Sequence, residues 1–297
     1  MELLTNNRDI EGSKMNKATA RQRPDFMIQS NNGGRLEMVP GFNSPRVLTQ
    51  SFRKRQLPKR LRQDNLLESS DLDFFIPQSS IGRDDRAQIT DTTTTPWRCV
   101  CQLVIEGLHD QQVLGTGWMA GPSTVITAGH NLLSKDTQKK ATRVYIIPGR
   151  DGDYAPYGYY EADGFEVHQQ WQNAYSEDHD LGVIWLDKPI GKKLGWFGVS
   201  TYANNQFDNL IVNTSGYPSD KRLGTQWYNA GRIDEINKNT LSYGLDTQPG
   251  QSGSPIFHYD TNNQRLVVAV HAYGFGSKNV GIRINNEVFD LLNHWIR

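Results

Sequence analysis

Cysteine is almost missing from this chain: two residues in 297, Cys99 and Cys101. They stand two apart in a stretch that reads as a strand, so both thiols face the same side of an extended backbone and bridge poorly. A disulfide scaffold is excluded, and two buried free thiols are expected. Net charge is also missing, with 32 Lys+Arg against 32 Asp+Glu, which leaves no nucleic-acid signature on the chain as a whole. No apolar run is long enough to span a bilayer. Met1 to Thr19 mixes Glu, Asn, Arg, Asp and Lys where a signal peptide would need an apolar core, so the compartment stays unassigned.

Metal-ligand spacing is lacking too. His109, His168, His258 and His294 have no partners at ligand spacing and read as structural or surface residues. Asp151 and Asp153, in the turn Gly149-Arg150-Asp151-Gly152-Asp153-Tyr154, offer too few oxygen donors for calcium and read as a solvated turn. No metal and no cofactor are expected.

What is present centres on Asp246-Thr247-Gln248-Pro249-Gly250-Gln251-Ser252-Gly253-Ser254-Pro255. A serine between near glycines sits where the backbone turns tightly, exposing the hydroxyl and freeing amides to converge on one point. The N–H groups of Gly250 and Ser252 would hold the oxyanion formed when that hydroxyl attacks a carbonyl. On its own the stretch could equally be a Gly/Ser/Pro turn between strands.

Two other stretches tilt the balance. Thr127-Ala128-Gly129-His130 follows the apolar run Ser123-Thr124-Val125-Ile126, which puts a histidine at the end of a strand. His179-Asp180 opens the apolar run Leu181-Gly182-Val183-Ile184-Trp185-Leu186, so a carboxylate lies at the edge of the core, placed to orient an imidazole. The order His130, Asp180, Ser252 is that of chymotrypsin-like proteases. Ser254 occupies the place of the second glycine in a G-x-S-x-G elbow, which argues against an α/β-hydrolase.

From about Ser79 to Arg297 the chain resembles the bacterial glutamyl endopeptidases, a branch of the chymotrypsin-like serine proteases. The resemblance rests on Ile81-Gly82-Arg83-Asp84-Asp85-Arg86, Gly117-Trp118-Met119, Thr127-Ala128-Gly129-His130, His179-Asp180-Leu181, Gly216-Tyr217-Pro218-Ser219-Asp220-Lys221, Gly250-Gln251-Ser252-Gly253-Ser254-Pro255 and Val270-His271-Ala272-Tyr273-Gly274. It implies an all-β fold of two antiparallel six-stranded barrels with a C-terminal helix, acting on protein or peptide substrates as a secreted monomer. His130, Asp180 and Ser252 would be its catalytic residues. It also implies cleavage after glutamate: Thr247, His271, Tyr273 and Gly274 would form the specificity pocket, where an imidazole can become a cation beside a carboxylate. Two other readings stay open, a broader trypsin-like endopeptidase and a binding protein on the same fold with little turnover.

Residues 1–78 are rich in Asn, Gln, Ser, Arg and Pro and contain the basic run Arg53 to Arg62. They carry 13 basic residues against 9 acidic, and the remainder 19 against 23, so weak opposite charge would favour docking of one on the other. They read as a partly disordered pro-segment, with Leu72, Phe74, Phe75 and Ile76 as candidate anchors. The resemblance places the mature start near Gln78/Ser79, making the chain a zymogen. Because Gln251 and not Asp precedes Ser252, a new amino terminus could not form the buried salt bridge that activates the digestive trypsin-like enzymes.

Periodicity places a first barrel at 97–186, in Arg98–Ile105, Leu114–Ala120, Thr124–Ala128, Arg143–Ile147 and Leu181–Leu186. A second at 207–283 comprises Leu210–Thr214, Gln226–Ile233, Thr240–Tyr243, Ser254–Tyr259, Arg265–Tyr273 and Val280–Arg283. A helix over 285–297 would present Val288, Leu291, Leu292 and Trp295 on one face, capped by Asn285 or Asn286.

Overall fold

The computed structural model describes residues 27–31, 34–44, 55–62, 83–275 and 277–297. Its strands are β1 (Met27–Asn31), β2 (Gly34–Val39), β3 (Ala87–Gln88), β4 (Val100–Glu106), β5 (Val113–Met119), β6 (Thr124–Thr127), β7 (Arg143–Pro148), β8 (Tyr160–Glu161), β9 (Gly164–Val167), β10 (Gly182–Trp185), β11 (Gly198–Ser200), β12 (Ile211–Gly216), β13 (Trp227–Ile236), β14 (Thr240–Tyr243), β15 (Pro255–Tyr259), β16 (Arg265–Phe275) and β17 (Lys278–Arg283). The helices are α1 (Gln169–Ala174), α2 (Gly191–Leu194) and α3 (Asn286–Trp295).

The two expected halves are both present. In the second, the pairing order β16-β15-β12-β13-β14-β17 returns to β16, so six antiparallel strands close into a barrel with no free edge. In the first, β8-β7-β4-β5-β6-β10-β9 form a curved antiparallel sheet of seven strands whose end strands are not paired with each other. Both faces of its central strands are covered: every residue of β5 and β6 is buried, as are the first six of β4.

One apolar core runs across the seam. Trp118 of β5 packs edge-on against Phe197 (ring centroids 5.9 Å apart), and Phe197 lies 5.0 Å from Phe257 of β15. Burial of such rings contributes on the order of 2–3 kcal/mol each, so the halves are held as one body and the groups at the seam keep fixed positions. Helix α3 closes this core. Of the face expected from its periodicity, Val288, Leu292 and Trp295 are buried and Leu291 only partly, while Phe289, outside that set, is buried as well; Asn285 accepts the Val288 N–H at 3.0 Å as the N-cap. Trp185 of β10 donates to the Trp295 carbonyl at 2.9 Å, tying α3 to the first sheet. Both cysteines are free and buried, and burial pushes the Cys99 thiol up to about 12.

Parts of the first 78 residues dock on both halves. The β1–β2 hairpin pairs through β2 with β11, which runs parallel to β16 and so extends the sheet of the second barrel. Leu57 and Leu61, each 2% exposed, pack with Val104, Leu114, Tyr145 and Ile147 of the first sheet. The Leu57 N–H donates to the Asp153 carbonyl, and the Ala155 N–H to that of Arg55. The anchors expected at Leu72, Phe74, Phe75 and Ile76, and the expected cut at Gln78/Ser79, lie outside the described residues. Among the described residues no helix is long and apolar enough to cross a membrane.

Candidate active site

Strand β6 ends at Thr127, and a 3₁₀ turn over Gly129–Asn131 carries His130 out of the sheet. The chain enters β10 through Asp180, which is 1% exposed. β10 pairs with β6 with Gly182 opposite Thr127, and this register brings the two loops together. Asp180 holds His130 twice. One carboxylate oxygen lies 2.5 Å from Nδ1, and the other accepts the His130 backbone N–H at 2.7 Å. The imidazole is therefore fixed in position and in orientation. Trp171 of α1 approaches it edge-on with ring centroids 6.4 Å apart. Nε2 of His130 is buried and has no hydrogen-bond partner.

Ser252 comes from the opposite half. Gly250 (φ 92°) and Gly253 (φ 89°) flank it in the left-handed region, where a side chain is strained. A Cβ on Gly250 would lie 2.5 Å from the Tyr217 carbonyl oxygen, and one on Gly253 2.1 Å from that of Thr116, so both positions exclude a side chain. The loop is stitched to the first half: the Ser252 carbonyl accepts from the Thr116 N–H and from Asn131 Nδ2, both at 2.9 Å. Asn131 is thus a link between the neighbourhoods of His130 and Ser252. The Pro249 carbonyl accepts the Ser219 N–H at 2.7 Å.

The Ser252 hydroxyl donates to the Ala272 carbonyl at 3.3 Å. That carbonyl belongs to an irregular step in β16: His271 pairs with Gly281 and Tyr273 with Val280, leaving Ala272 as the extra residue of a bulge. The structure thus joins His130 to Asp180 and seats Ser252 on the same seam, while the His130–Ser252 hydrogen bond is not formed in it.

His271 is completely buried, and the Tyr243 hydroxyl lies 2.8 Å from its Nδ1. Burial is the largest cause that pushes its pKa down, to about 3, with the nearby His130 acting in the same sense, so the ring is neutral near neutral pH. Nε2 of His271 and Oγ1 of Thr247 are both buried without a hydrogen-bond partner. Tyr273 is half-buried and Gly274 buried on the same strand. The sequence did not single out Tyr243. It closes β14 next to β17, where Gly281 leaves room for its hydroxyl: a Cβ there would be 3.0 Å from that oxygen. No sequence signal marks such a cross-strand arrangement.

Sequence spacing also missed a gathering of His168, His179 and Glu287, whose ligand atoms all lie within 4.8 Å of one another. Nδ1 of His168 accepts the Gln170 N–H at 3.1 Å and caps α1. The proton of the neutral ring is then on Nε2, and coordination through Nε2 would force an N–H against the Gln170 N–H. The trio is therefore poorly prepared to take a metal, and its His168 serves the helix. In the Asp151–Asp153 turn, the Gly152 and Asp153 carbonyls already accept from Arg150 and Leu57.

Comparison with known proteins bears on this arrangement. The family model described as Trypsin matches residues 87–296. A glutamyl endopeptidase of Bacillus licheniformis is 38% identical over 227 residues, covering 73% of this chain and 69% of the relative. A Bacillus subtilis protein named as an extracellular metalloprotease is 34% identical over 220 residues, covering 74% and 70%; the metal in that name is the relative's. A solved structure of a Glu endopeptidase in complex with MPD superposes with a TM-score of 0.66 at 25% identity, over 73% of this chain and 98% of that one. The chain is a serine endopeptidase that belongs to the trypsin family, in the branch of the bacterial glutamyl endopeptidases.

Proposed function

We propose that the protein hydrolyses peptide bonds after glutamate through an acyl-enzyme formed on Ser252, and that it is made as a zymogen cut near Gln78/Ser79. Ser252 attacks the carbonyl, His130 takes the proton and returns it to the leaving amine, and Asp180 holds the imidazole with Nε2 toward the nucleophile. Nε2 of His130 stands unserved in the free protein, and catalytic hydrogen bonds are often loose before substrate binds. The Ser252 hydroxyl exchanges its Ala272 acceptor for that nitrogen when substrate arrives. The N–H groups of Gly250 and Ser252 receive the oxyanion.

The glutamate preference rests on one observation: His271 Nε2 and Thr247 Oγ1, on the two segments that flank Ser252, are buried without partners. An unserved buried polar group costs about 1–3 kcal/mol, a cost that a ligand can relieve. A phenol donating to Nδ1 of a neutral imidazole leaves the ring proton on Nε2, so both groups are donors. A carboxylate only accepts, and a glutamate side chain supplies two oxygens for two donors. The pocket recognises the anion with neutral donors, and the imidazolium suggested by the sequence is not required in the free enzyme.

The test is a peptide library varied at the residue before the cut, run with the processed enzyme and with Ser252→Ala and His271→Ala variants. Ser252→Ala should be folded and inactive. His271→Ala should lower the preference for glutamate over alanine more than it lowers turnover of neutral substrates. An unchanged glutamate-to-alanine ratio would favour the broader endopeptidase, and cleavage by Ser252→Ala equal to that of the parent would end the assignment.

A further inference from the structure

Arg86 lies in the segment that resembles the family's amino-terminal motif, yet nothing in the mechanism above uses it. Its side chain is 1% exposed. Nε and one terminal nitrogen donate to the two oxygens of Asp84, both at 2.9 Å. The terminal nitrogens also donate to the two oxygens of Asp220, at 3.1 and 2.6 Å. The remaining reach of the guanidinium goes to Gln251 Oε1, at 3.3 Å. Lys221 adds a second cation, 2.6 Å from Asp84, so two carboxylates face two cations. A buried guanidinium held bidentately by two carboxylates that keep contact with solvent has its geometry fixed on both sides.

Gln251 is the residue before the nucleophile and is itself 1% exposed. Its Oε1 also accepts the Gln248 N–H at 3.0 Å, and its own N–H donates to the Gln248 carbonyl at 3.0 Å. The side chain therefore braces the turn Gln248–Ser252 from within, and Arg86 braces the side chain. Asp220 follows Ser219, whose N–H holds the Pro249 carbonyl. One cation thus reaches the oxyanion turn from two sides. The segment that carries Arg86 is anchored independently. The Asp85 N–H donates to buried Asp246, Asn229 donates to Asp85 at 2.7 Å, and β3 pairs with β13.

In digestive trypsin-like enzymes a freed amine supplies the cation beside the residue preceding the serine. Here that place holds a guanidinium belonging to an internal residue, already seated in a chain that still carries residues 1–78.

We propose that Arg86 is a positioning residue that sets the oxyanion turn before any cut, so that the acylation machinery is already built in the chain that carries residues 1–78. The inference rests on the Ser252 assignment above. Arg86 touches no substrate; it acts through Gln251 and Asp220.

The experiment uses the full chain, uncut and processed, with the Gln78/Ser79 site blocked by Gln78→Pro in the uncut form. A small fluorophosphonate without a side chain for the specificity pocket phosphonylates Ser252, the serine oxygen displacing fluoride, and reports nucleophile and oxyanion turn alone. The uncut and processed forms should be labelled at rates within about threefold of each other. Arg86→Met should slow labelling at least tenfold in both forms and lower kcat more than it raises KM. Arg86→Lys should recover part of the rate. Should Arg86→Met fail to fold, Gln251→Leu removes the same link while leaving the Asp84–Arg86–Asp220 pairing intact, and should show the same slowing. Uncut chain labelled a hundredfold slower than processed, or Arg86→Met and Gln251→Leu labelled at the parent rate, overturns the inference. No labelling of processed parent enzyme would remove the Ser252 assignment itself, and the inference with it.

Discussion

The Tyr243 hydroxyl sits 2.8 Å from Nδ1 of His271, two buried side chains from β14 and β16, the strands on either side of β17 in the closed barrel. Burial holds the phenol well above its ordinary pKa, so it stays a neutral donor. In the proposed pocket its proton decides which nitrogen of His271 is left to donate. Tyr243→Phe should free Nδ1 to take the ring proton and turn Nε2 into an acceptor, which a carboxylate repels. Steady-state kinetics should show a rise of about tenfold in KM for glutamyl substrates, the order of one lost hydrogen bond, with alanyl substrates little changed. Equal effects on both substrates would remove Tyr243 from recognition.

The same burial makes the fold sensitive to acid. His271 has a pKa of about 3 when folded, against about 6.5 in an unfolded chain. Between those values the unfolded state binds the extra proton, so stability rises with pH across the window. The contribution is fully present above about pH 6.5 and is lost as pH falls toward 3. Urea unfolding at pH 7, 5.5 and 4.5 should show a shallower loss for His271→Gln than for the parent. Parallel curves would mean that another group governs the acid limb.

Much of this architecture could be read from the sequence, because the strands that build the two halves carry dense apolar runs such as Val100–Ile105 and Val267–Val270. The His130 and Asp180 loops were legible for the same reason: each abuts a strand whose register leaves little freedom. Strands β8, β9 and β11 are two to four residues long, too short to show a period. Leu57 and Leu61 were hidden inside the basic run Arg53 to Arg62, where flanking charge masks two buried side chains. Tyr243 and the gathering of His168, His179 and Glu287 depend on contacts between distant segments, to which no local pattern corresponds.

Asp180 binds both the ring and the backbone of His130, so its two roles can be separated. Asp180→Asn keeps the shape but offers an amide where the imidazole N–H needs an acceptor. A drop in kcat of about 10³–10⁴-fold is expected, with the thermal midpoint moved by only a few degrees. Retention of a tenth or more of parental kcat would argue that another group orients His130.

Gly253 and Gly152 both have positive φ, at 89° and 56°, but differ in what surrounds them. A Cβ on Gly253 meets the Thr116 carbonyl oxygen at 2.1 Å, while one on Gly152 meets only the end of Arg222 at 3.4 Å. Gly253→Ala should therefore lose activity and stability together, whereas Gly152→Ala should cost about 1–2 kcal/mol, from backbone strain alone. Fluorophosphonate labelling and thermal melts on the pair would check this. A fully active Gly253→Ala would mean that the nucleophile turn is not built as described.

Leu61 offers a test of the amino-terminal segment that is independent of catalysis. It is 2% exposed within a cluster formed with Tyr145 and Ile147 of β7 and Val104 of β4, so Leu61→Ala removes contacts between the first 78 residues and the first sheet. A truncation of this kind in a packed site costs about 2–5 kcal/mol, or at least about 5 °C in the melting of a unit of this size. The loss should appear in the uncut chain. In a form from which residues 1–78 have been cut away, parent and variant are the same molecule and must melt together. A variant whose uncut form melts with the parent would mean that the docked segment adds nothing to the stability of the body. Residues 55–62 would then be held by the backbone bonds of Arg55 and Leu57 alone.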